Sequence, residues 1–228
     1  MLTMTPYSVP PLFFKDAMDL IPEDCFRTAI NQPTGNFFYD PWVIADEFKD
    51  TVWHKIYDSL PVEDKGEARI IRLKPGECYV SHSDIDDRYH LNFSGNNCYL
   101  IDLENDKLTP LNFDGIWWEM DAGRKHTAAN FGDIDRYQMV VRKLITKATI
   151  KNPVDVKITL IDEVFNRRYI FDEVISPWLN SAFKRKVVKD FKGEDLKATM
   201  TIDKNVFDEL KHIINNSKKF KIEVVNEK

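Results

Sequence analysis

The period of the apolar residues changes at Glu67, and this change limits the fold class. Residues 1–36 contain five prolines and are predicted to be irregular. In residues 41–60 apolar side chains recur at roughly helical spacing, and Pro41 suits the first position of a helix. After Glu67 short runs with a period of two follow, separated by turn residues: ARIIRL, ECYVSH, RYHLNF, CYLIDL, IWWEM and RYQMVVRKLI. Many short strands at this spacing predict a mainly β domain, a sandwich or a barrel.

A different pattern begins near residue 147. Two β-type runs and a closing FKIEVV alternate with two helical segments: 156–162, 196–202, 163–187 and 206–214. The first helix is predicted to break at Ser176-Pro177, with Ser176 as its cap. The order β-α-β-α-β predicts a small α/β unit. We therefore expect two domains, residues 1–146 and residues 147–228.

Composition excludes several classes of protein. The chain has 228 residues, of which 43% are hydrophobic and 12% aromatic, so wholesale disorder is excluded. No apolar run is long enough for a membrane helix, and the N-terminal residues do not resemble a signal peptide. We expect a cytoplasmic protein without membrane attachment. Cys25, Cys78 and Cys98 form no CxxC pair, and we expect three buried, reduced thiols.

The net charge of −5 is unevenly distributed. Residues 147–228 hold 17 Lys+Arg against 13 Asp+Glu, whereas residues 1–146 hold 15 against 24. The charge therefore argues against nucleic-acid binding for the first part of the chain but not for the second. Part of the basic excess is a cluster of five residues: Lys184, Arg185, Lys186, Lys189 and Lys192. One interpretation is a solvated helix end, and the other is a docking patch for an anionic or macromolecular partner.

A possible metal site begins with His82-Ser83-Asp84. Residues two apart in an extended chain point to the same side, so His82 and Asp84 can share one metal ion. His126 lies in a second predicted strand. If the following hairpin is centred near Phe131, His126 lies opposite Arg136, with Cβ atoms about 4.5–5.5 Å apart. Two histidines and a carboxylate form the facial triad that suits non-haem Fe(II) and leaves positions open.

Open metal positions can take a bidentate 2-oxo acid and O2. Arg136 is suited to the distal carboxylate of such a molecule, because its guanidinium donates a forked pair of hydrogen bonds.

Four motifs carry a family resemblance: LKPGE at 73–77, HSD at 82–84, RYHL at 88–91, and the spacing from His126 to Arg136. By these motifs the segment 72–145 resembles the Fe(II)- and 2-oxoglutarate-dependent oxygenases. It is most similar to the aspartyl/asparaginyl β-hydroxylase group, which includes bacterial proline hydroxylases. The resemblance implies a double-stranded β-helix, or jelly roll, supported by an N-terminal helix. It covers about a third of the chain and does not reach the C-terminal unit.

The resemblance also implies roles for individual residues. His82, Asp84 and His126 would bind the catalytic Fe(II), Arg136 would bind 2-oxoglutarate, and O2 would be the second cosubstrate. Arg88 and His90 match an R-x-H motif whose members help to hold 2-oxoglutarate. Animal aspartyl/asparaginyl β-hydroxylases lack the carboxylate ligand, so the presence of Asp84 places this chain nearer the bacterial amino-acid hydroxylases.

Three further residues are candidates for substrate contact. Asp86 follows the triad closely and is expected to face solvent or to contact substrate at the mouth of the site. Trp117 is followed by a second tryptophan, so one of the two should face the core and the other solvent or the pocket. Asn130 is expected near the entrance of the site.

Three functional hypotheses remain from the sequence. The first is a hydroxylase of an Asp, Asn or Pro side chain in a protein, which the basic C-terminal unit favours as a docking surface. The second is a hydroxylase of a free amino acid or a similar small metabolite. The third is an inactive jelly-roll module that only binds a ligand, and the intact set of metal and carboxylate ligands argues against it.

Overall fold

The chain forms two compact units. A computed structural model describes residues 1–21, 27–161, 167–194 and 197–227. The first unit comprises Met1–Ser81 and Asp86–Leu144, and the second comprises Ile145–Lys228 together with His82–Ile85. No helix in the described part of the chain is long and apolar enough to cross a membrane.

The first unit is built mainly from short antiparallel strands. Its eleven described strands are β1 (Leu2–Ser8), β2 (Arg27–Ala29), β3 (Asn31–Pro33), β4 (Trp42–Ile44), β5 (Lys65–Leu73), β6 (Arg88–Ser94), β7 (Cys98–Asp102), β8 (Lys107–Pro110), β9 (Ile116–Met120), β10 (His126–Asn130) and β11 (Arg136–Lys143). Its two described α-helices are α1 (Pro11–Asp19) and α2 (Val52–Asp58). Six strands form one sheet in the order β1-β9-β6-β11-β5-β2, and three form another in the order β10-β7-β8. A mainly β unit with several antiparallel sheets, compatible with a sandwich, is therefore confirmed.

The six-stranded sheet has one apolar and one polar face. On β11, Tyr137, Met139 and Val141 are buried in a core that also contains Trp53 and Ile56 of α2. The intervening residues of β11 and β6 point to the opposite face, which carries polar side chains: Arg136, Gln138, Arg142, Arg88, His90 and Asn92. Because side chains alternate along a strand, one face can pack on helices while the other builds a site.

The three-stranded sheet contributes a second, smaller core. Cys98, Leu100 and Ala128 are buried with Met120 of the six-stranded sheet. Every second residue pair of β10 and β7 points to the face that forms this core. These pairs are Cys98–Asn130, Leu100–Ala128 and Asp102–His126. The run 77–82, which was predicted to be a strand, forms an isolated bridge between Cys78 and Ala129 instead.

The N-terminal predictions were partly wrong. Residues 1–36 are not irregular throughout, because they contain β1, α1, β2 and β3. The predicted helix over 41–60 is present only as α2, and its first part is strand β4. The side chain of Ile44 is buried whereas Val43 is 46% exposed, which is the alternation of a strand. In so short a window the apolar positions fit both periods, and the pairing of β4 with β3 decides between them.

The second unit is an antiparallel sheet with three helices. Its described strands and helices are β12 (Pro153–Leu160), α3 (Arg167–Val174), α4 (Ser176–Lys184), β13 (Val188–Glu194), β14 (Lys197–Asp203), α5 (Phe207–Ser217) and β15 (Phe220–Glu227). The sheet order is β13-β14-β12-β15, and each neighbouring pair is antiparallel.

Several sequence predictions for this unit therefore need correction. A break between two helices is present, but Ser176 lies inside α4, and the residue before it makes no side-chain cap. The sequence missed β13, where polar residues interrupt the apolar alternation. With β13 present, the unit is an α+β fold with an antiparallel sheet, not the α/β unit that was predicted. The thiols also differ: Cys98 is buried, Cys78 is exposed, and Cys25 lies outside the described residues.

Candidate metal centre

Three predicted metal ligands lie together. His82, Asp84 and His126 each offer one donor atom, and these atoms lie within 4.8 Å of one another. Nε2 of His82 is 3.8 Å from Oδ2 of Asp84. Metal–ligand bonds of about 2.0–2.2 Å hold two donors in one coordination sphere no more than ~4.4 Å apart. The triad is therefore close to a binding geometry and fits a divalent metal after small side-chain movements.

The ring of His126 is oriented by the backbone. Its Nδ1 lies 2.7 Å from the carbonyl oxygen of Arg124. A carbonyl only accepts hydrogen bonds, so Nδ1 carries a proton, and in the neutral ring the lone pair is on Nε2. His126 is also buried, with 5% of its surface exposed. A histidine held in this tautomer by a backbone carbonyl is typical of metal ligands.

Arg136 is a buried cation on the inner face of the six-stranded sheet. It is 2% exposed, and its Nη2 donates a hydrogen bond to Oε1 of Gln138. Its Nε and Nη1 have no hydrogen-bond partner among the described residues. Burial lowers the pKa of this guanidinium. A buried guanidinium with two unused donors fits an anionic ligand, because leaving such donors unpaired is unfavourable.

His90 lies near both Arg136 and His126. Burial and then the positive charges of Arg136 and Arg88 lower the pKa of His90 to about 3, and His126 acts in the same direction. The imidazole is therefore neutral at neutral pH. Its Nδ1 is 3.4 Å from Oε1 of Gln138, and its buried Nε2 has no partner within the part of the chain described.

Arg88 is engaged in a buried charge network. Oδ1 of Asp86 is 3.4 Å from Nε of Arg88. Oδ2 of Asp86 accepts two hydrogen bonds from Arg142, one from Nε at 2.7 Å and one from Nη2. Asp86 is 4% exposed, so it does not face solvent as the sequence led us to expect. It holds two arginines of neighbouring strands in place, and that is its evident use.

Trp117 and Asn130 occupy structural positions rather than the predicted substrate-contact positions. Trp117 lies in the apolar core, where its Nε1 donates to Oγ of Ser59 at 2.9 Å. The amide of Asn130 is buried and donates to the carbonyls of Leu73 and Ile134. The alternation predicted for the tryptophan pair is confirmed, since Trp118 lies on the other face, in register with His90.

The structure brings further polar groups to the same region that the sequence analysis missed. The hydroxyl of Tyr79, Nε1 of Trp118 and Oδ1 of Asn92 are buried without a hydrogen-bond partner among the described residues. Burial raises the pKa of Tyr79 while the charge of Arg136 lowers it, so these two side chains are near one another. Asn92 is two residues after His90 and Gln138 is two residues after Arg136. Strand alternation could therefore have predicted that both side chains lie on the same sheet face as the candidate site.

The predicted hairpin between His126 and Arg136 is wrong. β10 pairs with β7, whereas β11 pairs with β5 and β6, so the two residues belong to different sheets. A loop of five residues connects β10 to β11 without pairing them. Short connections favour a hairpin, but in a sandwich they can also cross from one sheet to the other.

The basic cluster of the second unit divides between two places. Lys184, Arg185 and Lys186 lie at the end of α4, and Arg185 donates to both carboxylate oxygens of Glu209 at 3.0 and 2.9 Å. Lys189 and Lys192 lie on strand β13. The five residues therefore lie on two elements that follow one another in the chain, the end of α4 and strand β13.

Comparisons with known proteins add little. No protein-family model matches the chain, and no curated protein matches it. Among solved structures, the chain is similar to a crystal structure of CapF with the inhibitor 3-isopropenyl-tropolone, with a TM-score of 0.31 and 13% identity. The similar region covers 50% of this chain and 30% of that chain. A likeness at this level carries no argument about fold or function.

Proposed function

We propose that the protein is an Fe(II)- and 2-oxoglutarate-dependent dioxygenase that hydroxylates an Asp, Asn or Pro side chain of a protein. The observation that carries the proposal is a three-residue donor set, His82, Asp84 and His126, combined with the buried Arg136 and its two unused donors. His90 lies near both parts of the site, since the charges of Arg136 and of His126 each lower its pKa. In this proposal the sandwich is a double-stranded β-helix.

The donor set fits Fe(II). Two imidazoles and one carboxylate suit a non-haem iron site that retains open positions, whereas structural zinc sites use four protein ligands. His82, Asp84 and His126 would hold the metal. The hydrogen bond from Nδ1 of His126 to the carbonyl of Arg124 would keep the other ring nitrogen ready for it.

The polar face of the six-stranded sheet fits a dicarboxylate. Nε and Nη1 of Arg136 lie on different edges of the guanidinium, so one of them would donate to the distal carboxylate of 2-oxoglutarate, and the hydroxyl of Tyr79 would add a second donor. Gln138 accepts from Nη2 of Arg136 and so fixes the orientation of the guanidinium. His90 and Arg88 line the same sheet face, and the pairing of Arg88 with Asp86 makes it a positioning residue in this proposal.

When bound, Fe(II) with 2-oxoglutarate and O2 supplies the oxidising chemistry that hydroxylates a C–H bond and releases succinate and CO2. The contribution of this chain is placement. Arg136 orients the cosubstrate, and His90 stays neutral beside the iron site and so adds no positive charge there. Trp118 lies in register with His90 on the same sheet face and would contact the substrate.

The proposal is tested by anaerobic addition of Fe(II) and 2-oxoglutarate. We expect the weak visible charge-transfer band of such sites in the wild type, and its loss in His126→Ala. His54→Ala is the matched control, because His54 lies in α2 and pairs with Asp58 instead. A band that is absent in the wild type, or unchanged in His126→Ala, would overturn the proposal.

The substrate class is tested with the aerobic enzyme. We expect 2-oxoglutarate turnover to be stimulated by host protein extract and to produce peptides heavier by 16 Da. Stimulation by a free amino acid, without modified peptides, would show that the enzyme acts on a small metabolite and that the protein-substrate part of the proposal is wrong.

A further inference from the structure

Strand β15 forms one edge of the sheet in the second unit. The order β13-β14-β12-β15 leaves one side of β15 without a neighbouring strand among the described residues. The exposed large apolar side chains in the described part of this unit are Ile161, Val224 and Val225. Two of them lie on β15, and Ile161 directly follows the strand that pairs with β15. An edge strand with exposed apolar side chains is a template for pairing with another chain.

The two edges of the sheet differ in regularity. β13 shifts register between Lys189 and Lys192, and Asp190 in between has a φ of 54°. Such an irregularity hinders the addition of a further strand, and natural proteins protect edges in this way. β15 shifts register only beyond Val224, so the stretch from Phe220 to Val224 is regular. The edge formed by β15 is therefore the one that can take up another strand.

The hydrogen bonds to the preceding strand show which backbone groups of β15 point to the free edge. The N–H of Ile161 donates to the carbonyl of Lys219 at 2.9 Å. Hydrogen-bonded pairs alternate along an antiparallel ladder, so Lys221 and Glu223 also direct their N–H and C=O groups towards β12. The residues that alternate with them direct these groups to the free edge: Phe220, Ile222 and Val224.

A second copy of the same strand can satisfy these groups. If a twofold axis passes through Ile222, this residue lies opposite Ile222 of the copy, and Phe220 lies opposite Val224. All of these are then hydrogen-bonded pairs, which together form about six backbone hydrogen bonds. The same three residues lie on the apolar face of the sheet, since their partners on β12 are buried. Pairing with a copy would therefore also cover the exposed part of Val224.

The charges on the other face of β15 favour this register. With Ile222 on the axis, Lys221 lies opposite Glu223 of the copy, and Glu223 lies opposite Lys221. Moving the axis by one residue in either direction places Lys221 opposite Lys221, or Glu223 opposite Glu223, and like charges directly opposite one another are unfavourable. The side chains of Lys221 and Glu223 are 61% and 42% exposed, so both are accessible to a second copy.

We propose that two copies of this protein associate through β15, with Phe220–Val224 paired antiparallel around a twofold axis at Ile222. The two four-stranded sheets then form one continuous sheet. Because both copies use the same surface, the assembly closes at a dimer. The inference is independent of the proposed oxygenase activity, since none of these residues belongs to the metal centre.

Sedimentation of the full-length protein over concentrations from about 1 to 200 μM tests the proposal, and we expect the wild type to form a dimer as the concentration rises. Lys221→Glu and Glu223→Lys each place like charges opposite one another at both symmetric positions. Each variant should raise the Kd of the dimer at least about tenfold. Lys192→Glu is the matched control, because it makes the same charge change at an exposed position on the other edge strand, and it should dimerise like the wild type.

A mixture of the two single variants is the sharpest test. Lys221→Glu has two glutamates and Glu223→Lys two lysines at the paired positions, so the mixture should form a heterodimer although neither variant self-associates well. The double variant Lys221→Glu, Glu223→Lys should likewise recover self-association. Circular dichroism of each variant checks that the sheet is retained.

Several results would overturn the inference. A wild type that stays monomeric at about 200 μM would show that β15 does not pair with itself and is left for a strand of another protein. Single variants that dimerise as well as the wild type, or a mixture of them that stays monomeric, would exclude this register. Equal weakening in Lys192→Glu would show that overall charge, not the β15 edge, controls association.

Discussion

Replacing Arg136 with methionine should separate the stability of the protein from its ability to bind a dicarboxylate. Methionine has a similar length but no charge and no donors. In the ligand-free protein Nε and Nη1 of Arg136 are buried without partners among the described residues, and each unsatisfied buried donor costs about 1–3 kcal/mol. The substitution also removes the bond to Gln138, which as a charge-assisted bond contributes about 1.5–3 kcal/mol.

Two such donors cost about 2–6 kcal/mol together, so the midpoint of the difference is a net stabilisation of about 2 kcal/mol. For a chain of this length, that corresponds to a rise in Tm of about 4–8 °C. In the wild type, 2-oxoglutarate at a hundred times its Kd, with Mn²⁺ in place of iron, should stabilise the protein by about 2.7 kcal/mol. Arg136→Met should lose this ligand-dependent stabilisation.

Thermal unfolding with and without 2-oxoglutarate measures both effects. Arg185→Met is the control, because Arg185 is exposed and paired with Glu209, so its loss should change stability by less than about 1 kcal/mol and leave the response to 2-oxoglutarate intact. A ligand-free Arg136→Met protein that is less stable than the wild type, and that still responds to 2-oxoglutarate, would refute the reasoning.

Three further predictions concern buried polar groups and are checked by denaturant unfolding. Asp86→Asn should destabilise the protein by about 3–5 kcal/mol, because it removes the buried carboxylate that Arg88 and Arg142 share and leaves Arg142 only Glu67, at 3.9 Å, and a loss below about 1 kcal/mol would contradict this. Asn130→Ala should cost about 2–4 kcal/mol, because two carbonyl acceptors lose their donor, and a neutral effect would argue against this. Burial raises the pKa of Tyr57 to about 12 in the folded protein. The protonated hydroxyl therefore contributes to the free energy of unfolding below about pH 10, and this contribution is lost between about pH 10 and 12. Tyr57→Phe should make the alkaline loss of stability less steep, and an unchanged pH profile of unfolding would disprove this.

The strands of the first unit could be predicted where side chains alternate strictly. In β6 every second residue is apolar and buried and the intervening residues are polar, and β11 follows the same pattern except at Val140, so the period alone indicates a strand with two unlike faces. Residues 41–60 could not be predicted in this way, because a three-residue strand and a two-turn helix both fit a window of that length. The pairing of Trp42–Ile44 with β3 makes this segment a strand, and that pairing is a non-local interaction.

The sequence could predict which residues meet in the candidate site but not how they are brought together. His82 and Asp84 are neighbours along the chain, so their proximity follows from spacing. The proximity of His126 depends on which sheet takes up β10, and the predicted hairpin with β11 was wrong. Likewise, Asp86 looked like a surface residue, because nothing local shows that Arg88 and Arg142 would enclose it.

The central claim is that His82, Asp84 and His126 bind one divalent metal ion, and anaerobic equilibrium dialysis against Fe(II) tests it most directly. The account predicts one equivalent of Fe(II) in the wild type and in His54→Ala. It predicts little or no bound Fe(II) in His82→Ala and His126→Ala, since two remaining ligands do not form a facial triad. Full retention of Fe(II) by both of those variants, or no binding by the wild type, would contradict the account.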